Sequence, residues 1–256
     1  SDRNLSLLHA IFTGFSLEPL MRHLAAGRRV VAFDTMGNGD STPTRTERPT
    51  IADLADGHMR AMDALGLGVV DLYGYHTGTA ISTEIAIARP DRVRRLVLEG
   101  VSVFDPTDRA NLFDNDHAPD IAPDLSGTHL LAAWSMVRDA HLFWPWWDRR
   151  ASARRPLGLP DAATLTRETI EVLKASQTYH RSYNAALRYP KRERLPLITQ
   201  PVLVAAGPSD QLFGYLETAR DLIPGARATA LPEPTEERNR GAIAAEFLAF
   251  LGEASR

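Results

Sequence analysis

Residues 69–78 read Val-Val-Asp-Leu-Tyr-Gly-Tyr-His-Thr-Gly and describe a short strand that turns sharply into a helix. The apolar start of this stretch is typical of a buried strand, and a helix-forming sequence follows over 79–89. Gly74 and Gly78 flank His76, so a titratable side chain lies where the strand ends and the helix begins. The pattern therefore predicts an imidazole held on a tight turn at the end of a strand.

Apolar runs and helical patterns alternate on both sides of this stretch. Such alternation predicts an α/β fold with a mostly parallel central sheet flanked by helices. The predicted strands cover residues 4–8, 29–33, 69–73, 94–98, 201–206 and 226–231. The predicted helices cover residues 17–25, 51–65, 79–89, 215–222 and 237–251.

One long segment interrupts the alternation. Residues 105–195 contain no convincing strand, and helical patterns run near 129–140 and over 162–187. We expect this segment to be a helical lid inserted into a core formed by residues 1–104 and 196–256. Its aromatic cluster around Trp144 forms either the core of the lid or an aromatic wall over an apolar substrate.

Composition excludes several classes of function. With a net charge of −3, the chain has no basic excess to attract nucleic acid or an anionic membrane. It contains no cysteine, which rules out disulfides, thiolate catalysis and cysteine zinc sites. No signal peptide or membrane span is evident, so a cytoplasmic location is expected. The first strand begins almost at residue 1, and an exposed sheet edge there would favour a homodimer.

Four motifs, in order, carry a resemblance to the α/β-hydrolase superfamily. Residues 30–41 resemble that family's strand followed by Asp-x-x-Gly-x-Gly-x-Ser, and residues 74–78 resemble its nucleophile elbow. Residues 90–98 resemble its passage from helix to strand, and residues 201–210 resemble the strand and loop that carry its catalytic acid. The resemblance implies the α/β-hydrolase fold with an inserted lid, and leaves the activity open.

Departures from the family pattern affect the catalytic residues. The elbow normally carries serine, and here it carries His76. The loop at residues 231–242, where the family has its triad histidine, contains none, and no histidine follows His180. Of the family's Ser–Asp–His set, only Asp210 has a counterpart. Serine needs a base to remove its proton, so a standard serine esterase mechanism is not supported.

The remaining residues allow a different chemistry. An imidazole titrates near neutrality, so His76 is a candidate general base for a water or a bound substrate. Asp210 would contact it directly and fix its tautomer. The resemblance further implies an oxyanion hole formed by the backbone N–H of Thr77 and of Ala10 or Ile11. Tyr75, Trp144, His129 and His180 are candidate substrate-binding residues, and His129 or His180 is a candidate for the missing acid or base.

Each of these residues also has a purely structural interpretation. His76 is then a polar turn residue, Asp210 caps a helix that begins near Gly214, and His9 only shapes the first loop. The histidines and aromatics of the lid are then surface or packing residues. Metal binding is weakly supported, since no ligand pair with zinc spacing lies near the turn. The Gly37-x-Gly39 pair is too short for a dinucleotide fingerprint, and no cofactor is predicted.

Three functions remain open. The leading hypothesis is a hydrolase with non-serine chemistry that acts on a small apolar carbonyl compound, namely an ester, a lactone or a diketone; a cofactor-free lyase or decarboxylase is a variant of it. The second is a catalytically inactive relative that binds a small ligand under the lid. The third is a conventional esterase whose nucleophile is Ser102.

Overall fold

A computed structural model of the chain describes residues 4–9, 14–233 and 237–253. Within these residues the strands form one sheet in which every pair of neighbours is parallel. The prediction of a mostly parallel sheet is therefore confirmed. The strands are β1 Asn4–His9, β2 Arg29–Asp34, β3 Val70–Tyr75, β4 Val93–Glu99, β5 Val202–Ala206 and β6 Arg227–Ala230.

Helices follow most of the strands, as the alternating pattern predicts. The helix predicted over 162–187 is in fact two helices, because the chain turns at residues 175–178. Two helices of the 105–195 segment were not predicted, at 106–114 and 191–194. The helices are α1 Gly14–Leu24, α2 Ile51–Ala64, α3 Thr77–Ala88, α4 Pro106–Asp114, α5 Thr128–Leu142, α6 Ala162–Lys174, α7 Tyr179–Arg188, α8 Lys191–Arg194, α9 Leu216–Leu222 and α10 Glu237–Gly252.

The sheet is covered on both faces. One face packs on α2, α3 and α9 through a core that includes Leu72 and Leu96, both fully buried. The other face packs on α1 and α10, where Phe247 lies against the ring of Tyr73 at 5.6 Å between centroids. Full burial of such an apolar side chain stabilises the fold by about 1.5–3 kcal/mol. A double-sided core explains why the strands read as short apolar runs rather than alternating ones.

The strand order is β2-β1-β3-β4-β5-β6. The order in which the chain adds strands to the sheet therefore switches sides between β1 and β3. From β1 the chain moves outward to β2 on one side, and it then continues on the other side with β3. In open α/β sheets, ligands bind at the carboxyl ends of the strands beside such a switch. His76 follows β3 directly, so the topology brings it to this position.

Residues 105–195 lie between β4 and β5 and carry α4 to α8. They have a core of their own, in which Ala133 and Val137 of α5 pack with Val172 of α6 and with Tyr179. Beyond one isolated bridge between Phe143 and Arg154, the segment contains no strand pairing among the described residues. Across the described ranges, no helix combines the length and the apolar character that a membrane crossing requires.

Candidate active site

The turn between β3 and α3 holds His76 in an unusual backbone conformation, with φ of 48° and ψ of −110°. A positive φ is uncommon for residues other than glycine and costs roughly 1–3 kcal/mol. Hydrogen bonds on both sides hold the turn: the N–H of His76 donates to the carbonyl of Glu99, and the N–H of Thr79 donates to the carbonyl of His76. The strain therefore belongs to the residue that carries the candidate chemistry.

Gly74 allows the strand to pass unusually close to the helix. A Cβ on Gly74 would lie 2.5 Å from the carbonyl oxygen of Gly78 and 2.7 Å from the hydroxyl of Ser82, which is closer than real Cβ atoms approach. The first glycine of the Gly-x-His-x-Gly sequence is thus required by packing between β3 and α3.

Asp210 lies in the loop after β5 and contacts the imidazole directly. The distance from Nε2 of His76 to Oδ2 of Asp210 is 2.8 Å, and both side chains are mostly buried. The other carboxylate oxygen of Asp210 accepts a hydrogen bond of 2.7 Å from the N–H of Leu212. Burial alone would raise the pKa of Asp210, but attraction to His76, these hydrogen bonds and the charge of Arg155 outweigh it and lower the pKa. Asp210 is therefore ionised at neutral pH.

Gly100, just after β4, makes room for this pair. Its φ is +68°, and a Cβ there would lie 2.3 Å from Cδ2 of His76, 2.7 Å from Nε2 and 3.1 Å from the Asp210 carboxylate. No other residue type fits both the conformation and the space. Gly100 consequently permits the imidazole to lie against the end of β4 while it contacts Asp210.

Tyr75 fixes the plane of the imidazole. The two rings are stacked, with 4.0 Å between centroids and 17° between planes. Burial raises the pKa of Tyr75 well above its ordinary value, as do the nearby charges of Asp210 and Glu99. Tyr75 is therefore a neutral aromatic support beside the ring of His76.

A second carboxyl group lies on the neighbouring strand. Glu99 ends β4 and pairs in register with Tyr75 of β3. The hydroxyl of Tyr73 donates a hydrogen bond of 2.8 Å to Oε2 of Glu99. Burial raises the pKa of Glu99 to about 7; the Tyr73 hydrogen bond and the His76 charge oppose the rise, and the Asp210 charge adds to it. Near neutral pH, therefore, the carboxyl group of Glu99 titrates, whereas that of Asp210 is ionised.

A cavity of about 710 Å³ opens beside these residues. This volume is within the range of small-molecule sites. The core contributes His76, Tyr75, Glu99 and Asp210 to its wall, and residues 105–195 contribute many further side chains. Among these are His117, Met136, Val137, His141, Trp144, Trp146, Arg155, Glu168, Val172 and Tyr179.

A much smaller cavity of about 20 Å³ also borders the imidazole. His76, Thr77, Ser102, Trp144 and Gln211 line it, so polar groups face it from several directions. A space needs only about 10–15 Å³ of this kind of volume to hold one water molecule. The site therefore has room for a single water in contact with its central histidine.

The structure brings several of the sequence-predicted residues together. His76 and Asp210 form the pair described above, Tyr75 stacks on the imidazole, and Trp144 lines both cavities. Thr77 begins α3 and lines the smaller cavity. Asp210 also accepts a hydrogen bond from the N–H of Leu212, but the short helix at 213–215 and α9 both begin without a side-chain cap, so the helix-capping alternative for Asp210 is wrong. Ala10 and Ile11 lie outside the described residues.

Two lid histidines predicted for the site are placed elsewhere. His129 lies near the start of α5, where it contacts Asp124 at 3.3 Å, and it lines neither cavity described above. His180 also lines neither; its ring meets that of Tyr179 edge-on at 6.3 Å. A different histidine, His141, lines the large cavity and pairs with Glu168 at 2.7 Å.

Three residues of the site were not predicted from the sequence. Glu99 and Gly100 follow an apolar strand run and carry no motif of their own. Arg155 donates to the carbonyl of Ala140 at 2.6 Å and to that of Ser209 at 3.2 Å, so it joins residues 105–195 to the loop that bears Asp210. The one available signal for Glu99 was a carboxyl group at the carboxyl end of a buried strand.

Among the described residues, no group of three or more histidine, cysteine, aspartate or glutamate side chains is arranged to hold a metal ion.

Comparison with known proteins gives a consistent picture. A family model described as alpha/beta hydrolase fold matches residues 5–232. The protein of Caulobacter sp. strain K31 named "Putative carbamate hydrolase RutD" is 36% identical over 109 residues, which is 41% of either chain. The protein of the same name from Azorhizobium caulinodans is 29% identical over 215 residues, covering 82% of this chain and 74% of that one. The match thus spans about two fifths of the first of these relatives.

Solved structures give the same fold. A hydrolase from Pseudomonas aeruginosa superimposes with a TM-score of 0.73 at 24% identity, covering 98% of this chain and 91% of that one. At this identity the likeness shows the fold alone.

Proposed function

We propose a hydrolase function for this chain, which belongs to the α/β-hydrolase fold family. Its substrate would be a small apolar carbonyl compound, namely an ester, a lactone or a diketone. One observation carries the proposal: on the strained turn after β3, Nε2 of His76 lies 2.8 Å from the Asp210 carboxylate, and the ring lines a cavity. The relatives in the comparison are named as hydrolases, which supports this class of reaction.

His76 is the general base of the proposed reaction. An ionised carboxylate only accepts hydrogen bonds, so in the neutral imidazole Nε2 carries the proton that Asp210 binds. Nδ1 then keeps its lone pair and takes a proton from the attacking water. Asp210 stabilises the imidazolium that forms, because its own charge is retained. By the sequence resemblance, the imidazole would occupy the position at which the family's elbow normally presents its serine.

The attacking water has a place beside the base. The cavity of about 20 Å³ next to His76 accommodates one water molecule, and Ser102 and Gln211 offer it further hydrogen-bonding groups. A substrate carbonyl would lie in the larger cavity, which His76 and Gln211 also line. This arrangement supports direct attack by water, with no covalent intermediate on the protein.

Backbone groups stabilise the oxyanion. Thr77 begins α3, and the first N–H groups of a helix have no acceptor within it. In this fold the residue after the elbow supplies one N–H of the oxyanion hole, which makes Thr77 that donor. One such donor contributes about 2.7–4 kcal/mol to catalysis. The second donor, at Ala10 or Ile11, remains a prediction from the sequence.

The walls of the cavity favour a small substrate with an apolar body. Met136, Val137, Trp144 and Trp146 come from residues 105–195, which we interpret as the lid of the site. Aliphatic and aromatic groups of this kind bind an apolar body, and the polar groups near His76 orient the carbonyl.

Turnover of a defined panel tests the proposal. Aryl esters, lactones and 1,3-diketones are incubated with the wild type, His76→Ala and Asp210→Asn. We expect wild-type turnover of at least one class, and a loss of about 10²–10⁴-fold in kcat/KM for His76→Ala, as for removal of a general base. His180→Ala is the matched control, because that histidine lines neither cavity.

Two results would contradict the proposal. A ligand-induced rise in melting temperature without turnover of any compound would indicate a binding protein. Covalent labelling of Ser102 by an organophosphate, with activity lost in proportion, would indicate a serine esterase.

A further inference from the structure

We propose that Glu99 is the catalytic acid that protonates the leaving group, an assignment that rests on the proposed hydrolase function. His76 and Asp210 account for the base, but cleavage of an ester bond also requires a proton for the departing oxygen. The wall of the large cavity contains a carboxyl group suited to this role, and neither the family pattern nor the relatives point to it.

Glu99 is held rigidly beside the reacting groups. It ends β4, pairs in register with Tyr75, and accepts the backbone N–H of His76 at 2.9 Å through its own carbonyl. Paired residues of neighbouring parallel strands point to the same side of the sheet. The side chain of Glu99 therefore lies on the face of Tyr75 and reaches the cavity that His76 lines.

The surroundings of Glu99 raise its pKa, so the group exchanges its proton near neutral pH. Desolvation is the largest influence, the charge of Asp210 acts in the same direction, and the hydroxyl of Tyr73 and the charge of His76 oppose them. The balance raises the pKa to about 7. Asp210, by contrast, is bonded to His76 and to the N–H of Leu212 and stays ionised.

Two carboxyl groups whose pKa values are shifted in opposite directions indicate an acid and a base partner in one site. The proposed step then balances. The water oxygen forms a bond to the carbonyl carbon while Nδ1 of His76 takes its proton. The bond from carbon to the leaving oxygen breaks, its electron pair stays on that oxygen, and the oxygen takes the proton of Glu99. Transfer of the His76 proton to the Glu99 carboxylate, directly or through solvent, restores the resting state.

Leaving-group dependence tests the assignment. Glu99→Gln keeps the size and loses the acidic proton. Two esters with the same acyl group are compared: a nitrophenyl ester, whose leaving group needs no proton, and an alkyl ester, whose leaving group does. We expect Glu99→Gln to lose about 100-fold in kcat/KM on the alkyl ester and less than about fivefold on the nitrophenyl ester.

The variants separate this inference from the proposed function. His76→Ala should lose activity on both esters, and Glu246→Gln, at an exposed position of α10, on neither. Equal losses on both esters in Glu99→Gln, or no loss, would overturn the role of Glu99 while His76 dependence upholds the function. Wild type inactive on both esters and on every lactone and 1,3-diketone of the panel would overturn the function and the role of Glu99 together.

A spectroscopic readout checks the group without turnover. In protein labelled with ¹³C at the glutamate carboxyl, we expect one signal to titrate near pH 7 and to vanish in Glu99→Gln. Tyr73→Phe removes the hydrogen bond that favours the ionised form, so the midpoint of this signal should rise. Titration of Glu99 at an ordinary glutamate pKa would overturn the assignment.

Discussion

At the scale of single residues, the site depends on how closely an imidazole can approach the end of a neighbouring strand. His76 has a positive φ, and its ring lies where a Cβ on Gly100 would stand. Tyr75 stacks on one face of that ring, and Asp210 binds its Nε2. Each contact removes a freedom of the ring, so the geometry of the base is set before a substrate arrives.

Gly100→Ala should therefore displace the imidazole. The new Cβ would be 2.3 Å from the ring, and the φ of +68° disfavours alanine. We expect a loss of at least about tenfold in kcat/KM and roughly 1–2 kcal/mol of stability, from the strained backbone. The rate of ester hydrolysis measures the loss in kcat/KM, and thermal unfolding measures the loss in stability.

Gly214→Ala is the matched control. Gly214 lies close to Asp210 in the sequence, but a Cβ added to it would meet nothing within 4 Å. A variant Gly100→Ala that matches Gly214→Ala in activity would show that the close approach has no functional role.

The sequence was sufficient for His76 and Asp210 because each follows a recognisable strand at a family motif. It was insufficient for Glu99 and Gly100, whose importance comes from the register of β4 against β3. Register is a property of two strands together. The sequence of residues 93–100 alone therefore does not determine that Glu99 faces the cavity.

At the scale of elements, the passage from β3 to α3 depends on the distance between strand and helix. A Cβ added to Gly74 would lie 2.5 Å from the carbonyl oxygen of Gly78. The chain passes from strand to helix at a single residue, His76, which adopts the unfavourable dihedral angles. A larger residue at position 74 would push α3 away and carry Thr77 with it.

Gly74→Ala should thus cost stability as well as activity. Overpacking of a well-packed interior typically costs about 1–3 kcal/mol, and the clash here is with backbone, which yields little. Urea unfolding measures the cost. Gly68→Ala, two residues before β3, meets nothing within 4 Å and should unfold like the wild type. Equal midpoints for the two variants would contradict the close packing.

The pattern of the sequence predicted most elements of the core but not the details of segment 105–195. The helical pattern over 162–187 continues without a glycine or proline, so nothing in it announces the turn at 175–178. That turn arises from tertiary packing, in which Ala175 and Tyr179 join the core of α5 and α6. Tertiary packing overrides helix propensity at such positions.

At the scale of the whole molecule, the reacting groups meet because the sheet and the 105–195 segment enclose one cavity. The sheet brings the ends of β3, β4 and β5 side by side, and with them His76, Glu99 and Asp210. Residues 105–195 close the opposite side with aromatic and aliphatic groups. The order of motifs along the chain predicted this fold, whereas the lining of the cavity depends on side chains from a segment that resembles no motif.

Burial of Glu99 links the site to global stability. Between its ordinary pKa of 4.5 and its folded value of about 7, the folded protein holds a proton that the unfolded chain releases. Stability contributed by protonated Glu99 is therefore lost as the pH rises through this window. Asp210, whose pKa is lowered, acts oppositely: its contribution is present above the ordinary aspartate pKa and is lost on acidification.

Glu99→Gln should remove the first of these dependences. Relative to the wild type, the variant should gain on the order of 3 kcal/mol in unfolding free energy between pH 4.5 and pH 8, because glutamine does not ionise. Urea unfolding at several pH values gives the difference. A constant difference across this range would contradict a raised pKa for Glu99.

Chemical rescue tests the role of His76 most directly. In His76→Gly the space of the imidazole is vacated beside Asp210, and free imidazole can enter from the large cavity. We predict that His76→Gly hydrolyses an ester substrate at least about 100-fold more slowly than the wild type, and that added imidazole restores part of the rate in a saturable manner. Turnover by His76→Gly at the wild-type rate without imidazole would contradict the role of His76 as the base.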